Sequence, residues 1–185
     1  MTIAGEPVPA NSSWLTRYYL VRFLFSALWV VLALVTGSSH PAFSAGLIVA
    51  YPAWDSLANL IDAQRSGGFR ANPTQAVNAI VSAIVTLAVA IAATRDFHAV
   101  IAVIGIWATL SGIFQLSTAV RRRRSAAGQW PMILSGAQSA LAGIFFLVMA
   151  NNPSSNPSVA EVAPYAAFGA FYFAVSAVLL IRKIR

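Results

Sequence analysis

The chain has 185 residues, 58% of them hydrophobic and only 9% charged, with a net charge of +7 and a mean hydropathy of +0.72. A soluble domain carries about a quarter charged residues, so this composition excludes a water-covered surface and leaves no room for a second, soluble domain. There is no cysteine, which rules out disulfides, thiolate nucleophiles and Cys-based metal centres.

Residues 1–13 read as a polar tail whose one charge is Glu6, followed by a single transmembrane domain over 14–185. The first apolar run, about 18–36, is longer than a signal-peptide core and is expected to remain as a span. Trp14, Tyr18 and Tyr19 would form an interfacial aromatic belt at its start, and Gly37-Ser38-Ser39-His40-Pro41 makes the turn that follows. The second run, about 43–63, is unusual in carrying Pro52, Asp55, Asn59 and Asp62. Gly67, Gly68 and Pro73 break the chain after it. A third run, about 74–93, sets Asn78, Ser82 and Thr86 four apart on one face. After a turn at Thr94-Arg95-Asp96-Phe97 the fourth, about 99–120, ends in Arg121, Arg122, Arg123 and Arg124. The fifth run, about 130–149, leads through the polar loop Asn151–Pro157 to the sixth, about 164–181, which closes on Arg182 and Lys183. Six stretches of about 20 residues each suit a hydrocarbon core of about 30 Å.

The basic residues fix the expected orientation. Eleven of the twelve Lys and Arg residues fall on one side of the six runs: Arg17 and Arg22, Arg65 and Arg70, Arg121 to Arg124, and Arg182, Lys183 and Arg185. Arg95 is the exception. Basic flanks resist translocation, so the predicted fold is all-α, a polytopic membrane protein of six helices in three hairpins with both termini in the cytoplasm. Because the charge sits at helix ends, the lipid bilayer is the expected partner, with anionic lipids at the basic loops, and nucleic acid is not. A threefold echo accompanies the hairpins. Trp54 and Ala58, Trp107 and Ser111, and Tyr172 and Ser176 each pair an aromatic with a small residue four positions on. Parallel repeats of a two-helix unit leave such a pattern, and so does chance in an Ala-rich chain.

Asn59 and Asp62 each lie within about 40° of Asp55 on one helix face, and Asp55 would sit about 18 Å into the bilayer. A carboxylate at that depth costs about 2.5–3.5 kcal/mol on insertion scales, so it must face protein or trapped water. One reading is a proton relay or cation site, with Pro52 freeing the Ile48 carbonyl nearby. The other is an internal clamp with Arg22, which is close in depth to Asp62 and within reach of Asp55. The run Arg121, Arg122, Arg123 and Arg124 admits two uses as well. It would bind anionic lipid or a partner, at about 1 kcal/mol per basic residue, or serve as a stop-transfer signal. Ser139 and Gly143, Gly136 and Ala140, and Ala108 and Gly112 form small-residue seams, and Gln115, Ser135, Gln138 and Ser139 add hydrogen-bond capacity between helices. His40 and His98 lie at the side opposite the arginines, as solvated loop residues or sensors of acidity. The sequence offers no HExxH, catalytic triad or phosphate-cradling loop, so no catalytic residue, metal or cofactor is predicted.

From Val103 to Met149 the chain resembles the HdeD-like acid-resistance membrane proteins, bacterial proteins built from repeated hydrophobic hairpins. The residues that carry the likeness are Gly105-Ile106-Trp107, Ser111-Gly112-Ile113, the basic loop, Gly128-Gln129-Trp130, Gly136 and Gly143-Ile144. The resemblance implies six spans in a bacterial inner membrane and a non-enzymatic role in acid or envelope stress, and it carries over no site residues. Two other functions fit the residues: a small proton- or cation-coupled transporter or channel using Asp55 and Asp62 as a homo-oligomer, and a scaffold that meets a partner through Arg121 to Arg124.

Overall fold

The apolar runs become six helices: α1 (Ser12–Thr36), α2 (Pro41–Arg65), α3 (Pro73–Ala92), α4 (Phe97–Arg122), α5 (Gln129–Ala150) and α6 (Ala163–Ile184), with a short 3-10 turn at Val159–Val162. The structure, a computed structural model, describes residues 12–36 and 40–184, with no strand among them. Most of the expected tail, residues 1–11, lies outside the described residues, as do Gly37-Ser38-Ser39 of the first turn, Arg185 and the side chain of Lys183.

Local chemistry sets the helix ends. Pro41 and Pro73 occupy the first turn of α2 and α3, where a missing N–H costs nothing. Asp96 caps α4 by accepting from the Ala99 amide at 2.8 Å. Gly67 and Gly68 both take positive φ, 106° and 87°, a conformation open to glycine that turns the chain from α2 into α3. Two expectations are corrected here. Ser12 and Ser13 belong to α1 and not to a tail, and Tyr19 is no interfacial belt residue but is 3% exposed. The cause is packing: Leu15 and Tyr19, four apart on α1, are buried against Phe173, Ala177 and Leu180 of α6, and the helix extends to bury them.

At 20–26 residues the helices rise about 30–39 Å. Five are long and apolar enough to cross a bilayer; α2 is the exception among the six, because Asp55, Asn59 and Asp62 lie within it. Polarity runs inside out. On α3 the exposed stripe is Val77, Ile80, Ile84, Leu87 and Ile91, while Gln75, Asn78 and Ser82 are buried. A helix facing water shows the reverse. These apolar exteriors mark the chain as a membrane protein.

Each helix packs on the next, and α6 returns to pack on α1, closing a six-membered ring. The broad contacts are α2–α3, α4–α5 and α1–α6, and the pairs joined at the opposite end, α1–α2, α3–α4 and α5–α6, touch less. The three expected hairpins are therefore the looser pairs. The closest approach is the α4–α5 seam, built from the small residues the sequence marked. A Cβ on Gly112 would lie 2.5 Å from the Ala140 amide and 2.6 Å from the Gly136 carbonyl, and one on Gly136 would lie 2.7 Å from the Leu116 amide. Two apolar clusters fill the ring at different levels. Trp29, Ile48, Val89, Ile101, Ile104, Phe146 and Val162 pack at the end away from the arginines. Leu15, Tyr19, Ala119, Met132, Phe173 and Leu180 pack at the arginine end.

The seam predicts the outcome of one substitution. Leucine at Gly112 meets backbone that cannot swing aside, and overpacking of this kind costs about 1–3 kcal/mol or more, beyond the roughly 1 kcal/mol gained in helix propensity. Gly112→Leu is expected to lower the thermal midpoint of the detergent-solubilised protein by several degrees. Gly46→Ala, where a Cβ meets nothing within 4 Å, is expected to leave it unchanged or raise it.

Candidate functional site: a polar cavity inside the ring

Between the two apolar clusters the ring encloses a cavity of about 620 Å³ to which all six helices contribute, a volume suited to a small organic ligand. Its wall is polar where α1 to α4 face inward, through Arg22, Ser26, Asp55, Asn78, Ser111 and Gln115. The exposed lining residues Leu141, Phe145, Pro164 and Phe168 all belong to α5 and α6, with Glu161 beside them in the 3-10 turn. The cavity therefore opens sideways between α5 and α6, over an apolar sill. Trp54, Trp107 and Tyr172, the aromatics of the threefold echo, all stand on its wall.

Asp55 is the hub of the polar wall. Its Oδ1 accepts from the Arg22 guanidinium. Its Oδ2 accepts from Asn78 Nδ2 at 3.1 Å and from Ser82 Oγ at 2.9 Å. The network runs on: Trp107 Nε1 donates to Ser82 Oγ at 2.9 Å, and Ser111 Oγ donates to Asn78 Oδ1 at 2.9 Å. Four helices are tied through one carboxylate. Arg22 also donates to Tyr18 Oη at 2.9 Å and lies over the Phe173 ring, 4.4 Å from its centroid, which brings α6 into the same cluster.

Asp62 is held separately, at the arginine end. Its Oδ2 accepts from Arg122 at 2.8 Å, and its Oδ1 accepts from Trp14 Nε1 at 3.2 Å and from Ser66 Oγ at 3.0 Å. Arg122 also donates to Asn72 Oδ1 at 3.3 Å, and Gln75 Nε2 donates to the same oxygen at 3.1 Å. Arg121 donates to Gln75 Oε1 at 2.8 Å. This second knot latches α2, α3 and α4 at the arginine end of the cavity wall.

Of the residues singled out in the sequence, Arg22 and Asp55 meet. Arg22 pairs with Asp55 alone, and Asp62 takes Arg122. Asn59 donates to the Asp55 backbone carbonyl at 2.8 Å and touches neither carboxylate. Pro52 is buried in an α2 that runs uninterrupted from Pro41 to Arg65. The Trp29 indole donates to the Leu47 carbonyl at 2.7 Å, one turn before that proline. The four arginines part company: Arg123 and Arg124 are exposed, whereas the Arg122 side chain is 8% exposed and ion-paired. Arg122 sits in the ring because it continues the buried face of α4 through Ile104, Ala108, Ser111 and Ala119. That 3- and 4-residue spacing was the signal that could have found it. Asn78 and Ser82 were visible as a polar stripe, but Trp14, Tyr18, Asn72 and Gln75 were not. The interhelical capacity on α5 lands as bonds from Ser139 Oγ to the Ala108 carbonyl at 2.9 Å and between Ser139 and Tyr165 Oη at 3.0 Å. Gln115 donates to the Met132 carbonyl at 3.2 Å. His98 Nδ1 lies 3.3 Å from the Ala150 carbonyl, and His40 is exposed. Among the described residues no three or more His, Asp or Glu side chains gather at one point.

Removing one partner of a buried pair leaves the other charge uncompensated, at about 3–5 kcal/mol. Arg122→Gln is therefore expected to destabilise the protein by about 3 kcal/mol. Arg123→Gln and Arg124→Gln, on the exposed side of the same run, are expected to shift stability by no more than about 0.5 kcal/mol. Unfolding titrations in mixed micelles distinguish the two classes.

A family model described as a short repeat of unknown function (DUF308) matches residues 75–148, the stretch from the start of α3 nearly to the end of α5. No curated protein and no solved structure matches the chain. The matched segment is similar to a repeat associated with HdeD-like membrane proteins. It contains the glycine seam and the α3–α4 half of the Asp55 network.

Proposed function

We propose that this chain is a non-enzymatic protein of the bacterial inner membrane whose central cavity takes an amphipathic molecule out of the bilayer. In this reading α2 spans the membrane beside the other five helices, sheltered from lipid on its polar face. The arginine-bearing end and both termini lie in the cytoplasm. The pairing of α1 with α6 supports placing both termini at one end, since it sets the start of one helix beside the end of the other; the cytoplasmic side rests on the arginines. The observation that carries the proposal is the shape and chemistry of the cavity, with a polar interior at mid-depth and a sideways mouth of Leu141, Phe145 and Phe168. Such a mouth faces lipid tails, not water.

The two other functions expected from the sequence have less behind them. A carboxylate relay needs acids free to exchange protons or ions, and Asp55 and Asp62 are each ion-paired and further hydrogen-bonded. A scaffold that docks through the arginine run keeps Arg123 and Arg124 but loses Arg122 to the interior. A role in acid or envelope stress rests on the HdeD-like resemblance, and a bound membrane amphiphile is compatible with it.

Gly169 lines the cavity, and a Cβ there meets only Tyr51 Oη, at 3.7 Å. Gly169→Phe is expected to fill the cavity from α6. Native mass spectrometry of the wild-type protein released gently from its membrane should show a retained amphiphile, and Gly169→Phe should lose it while keeping its helical content. A wild-type protein that carries none, or a filled variant that retains it unchanged, would refute the binding reading. Orientation is checked through the absent cysteines: a thiol placed at Arg124 should label only from the cytoplasmic side, and one at Ser154 only from the periplasmic side.

A further inference from the structure

Ser135, Gln138 and Gln115 carry hydrogen-bonding groups that the helices leave unused. Ser135 and Gln138, three apart on α5, both line the cavity, and among the described residues neither has a hydrogen-bond partner. Gln115 of α4 lies beside them, because its Nε2 donates to the carbonyl of Met132, one turn before Ser135. A carbonyl can only accept, which fixes the orientation of the Gln115 amide and leaves its Oε1 without a donor. These atoms are not sealed in. Among the described residues, the side-chain N and O atoms that are both buried and unpartnered belong to Arg22 and Trp54, so those of Ser135, Gln138 and Gln115 keep accessible surface.

That surface lies on the cavity. Gln115 continues the buried stripe of α4, in phase with Ser111, Ala119 and Arg122, so the part of it left uncovered faces the inside of the ring. Ser135 is 7% exposed and stands on the α5 face that lines the cavity through Met132 and Ser139. Gln138 is half-buried at the edge of that face, between Ser135 and the mouth residues Leu141 and Phe145. It lies about 14 Å along α5 from Gln129, in the middle of the helix, where the bilayer itself supplies no hydrogen bond.

No charge faces this group unpaired. Arg22 pairs with Asp55 and Arg122 with Asp62, leaving Glu161 at the rim as the one unpaired charge among the charged residues that line the cavity. A charged head group would enter a low-dielectric space with no counter-ion, at a heavy desolvation cost. The Ser135 hydroxyl and the Gln138 amide can each donate and accept, whereas Gln115 Oε1 only accepts. An ester or ketone would leave that oxygen unmet, and a hydroxyl serves all three.

We infer that Ser135, Gln138 and Gln115 Oε1 form the head-group subsite of the cavity and take an uncharged amphiphile that carries free hydroxyls, such as a monoacylglycerol, with its apolar tail leaving over Leu141 and Phe145. This rests on the cavity reading above and adds the chemical class of the ligand and the wall that reads it.

The test uses full-length protein in nanodiscs of dioleoylphosphatidylcholine and three probes that share one chain: 1-monooleoylglycerol, which has hydroxyls; methyl oleate, which only accepts; and oleylamine, which is cationic. Binding is read from the quenching of tryptophan fluorescence by forms of each probe brominated at the double bond. Monooleoylglycerol is expected to bind at least tenfold more tightly than either of the others. Gln138→Met and Ser135→Ala should each weaken it about fivefold to tenfold, the value of one hydrogen bond. Both should leave the thermal midpoint of the delipidated protein unchanged, since neither side chain bonds within the protein; a clear fall in that midpoint would mean that the side chains fasten helices, and would overturn the inference. Equal binding of monooleoylglycerol and methyl oleate, or unchanged binding in both variants, would overturn it too and mean that water satisfies these groups. So would tighter binding of oleylamine. Gly169→Phe separates the two levels: if it abolishes binding of every probe while Gln138→Met and Ser135→Ala change nothing, the cavity stands and the head-group assignment falls. If Gly169→Phe leaves monooleoylglycerol binding intact, the cavity reading itself falls.

Discussion

A single carboxylate inside an apolar bundle organises this protein. Asp55 sits where a lone charge would be expelled, and it is kept there by Arg22 from α1 and by Asn78 and Ser82 from α3. Each donor is a helix contact that the fold must preserve. Ser82 and Asn78 are in turn held by Trp107 and Ser111 of α4. The polar cost at the centre is thus converted into a geometric requirement that α1, α2, α3 and α4 take one register. The Asp62–Arg122 knot imposes a second requirement at the arginine end. Buried ion pairs seldom add net stability over apolar packing, but breaking one is expensive. In a membrane, where apolar surface drives no helix association, two such knots and a glycine seam suffice to define the ring.

Those same constraints leave the space. The aromatic cluster around Trp29 and Trp107 plugs the ring on one side, and the Leu15, Tyr19 and Phe173 cluster plugs it on the other. Between them the polar side chains of α1 to α4 point inward and are held by one another, so they do not collapse across the gap. The opening lies between α5 and α6, where the lining residues Leu141, Phe145 and Phe168 are exposed. Fold and site are one arrangement here: the residues that fasten the helices also line the cavity.

Much of this was legible in the chain. The apolar runs located all six helices, and Gly112, Gly136 and Gly143 located the tightest seam, because small residues four apart have few other uses in a bilayer. Depth put Arg22 level with Asp62 and within reach of Asp55, and it is Asp55 that it meets. Other features were hidden for physical reasons. The pairing of Asp62 with Arg122 joins residues 60 apart, and the tetra-arginine run disguised a buried side chain among exposed ones. Only the helical phase of α4 tells them apart. Trp14 and Tyr19 look like belt aromatics by position, yet the closing of α1 on α6, a contact between the chain's two ends, draws Tyr19 inside. The cavity itself could not be read from any run of residues, since it arises from what six helices fail to fill. The relative breadth of the helix contacts was hidden for a related reason: adjacency in sequence gives contact, but side-chain size decides how broad that contact is.

The dependence of the ring on the Asp55 knot is tested most directly by a double-mutant cycle on Arg22→Met and Asp55→Leu, with stability measured by unfolding in micelles. Each single replacement strands a charge and should cost about 3–5 kcal/mol, whereas the double replacement should recover most of that loss. Losses that simply add would mean that the two side chains do not act on each other, and the knot would not be what fastens the helices.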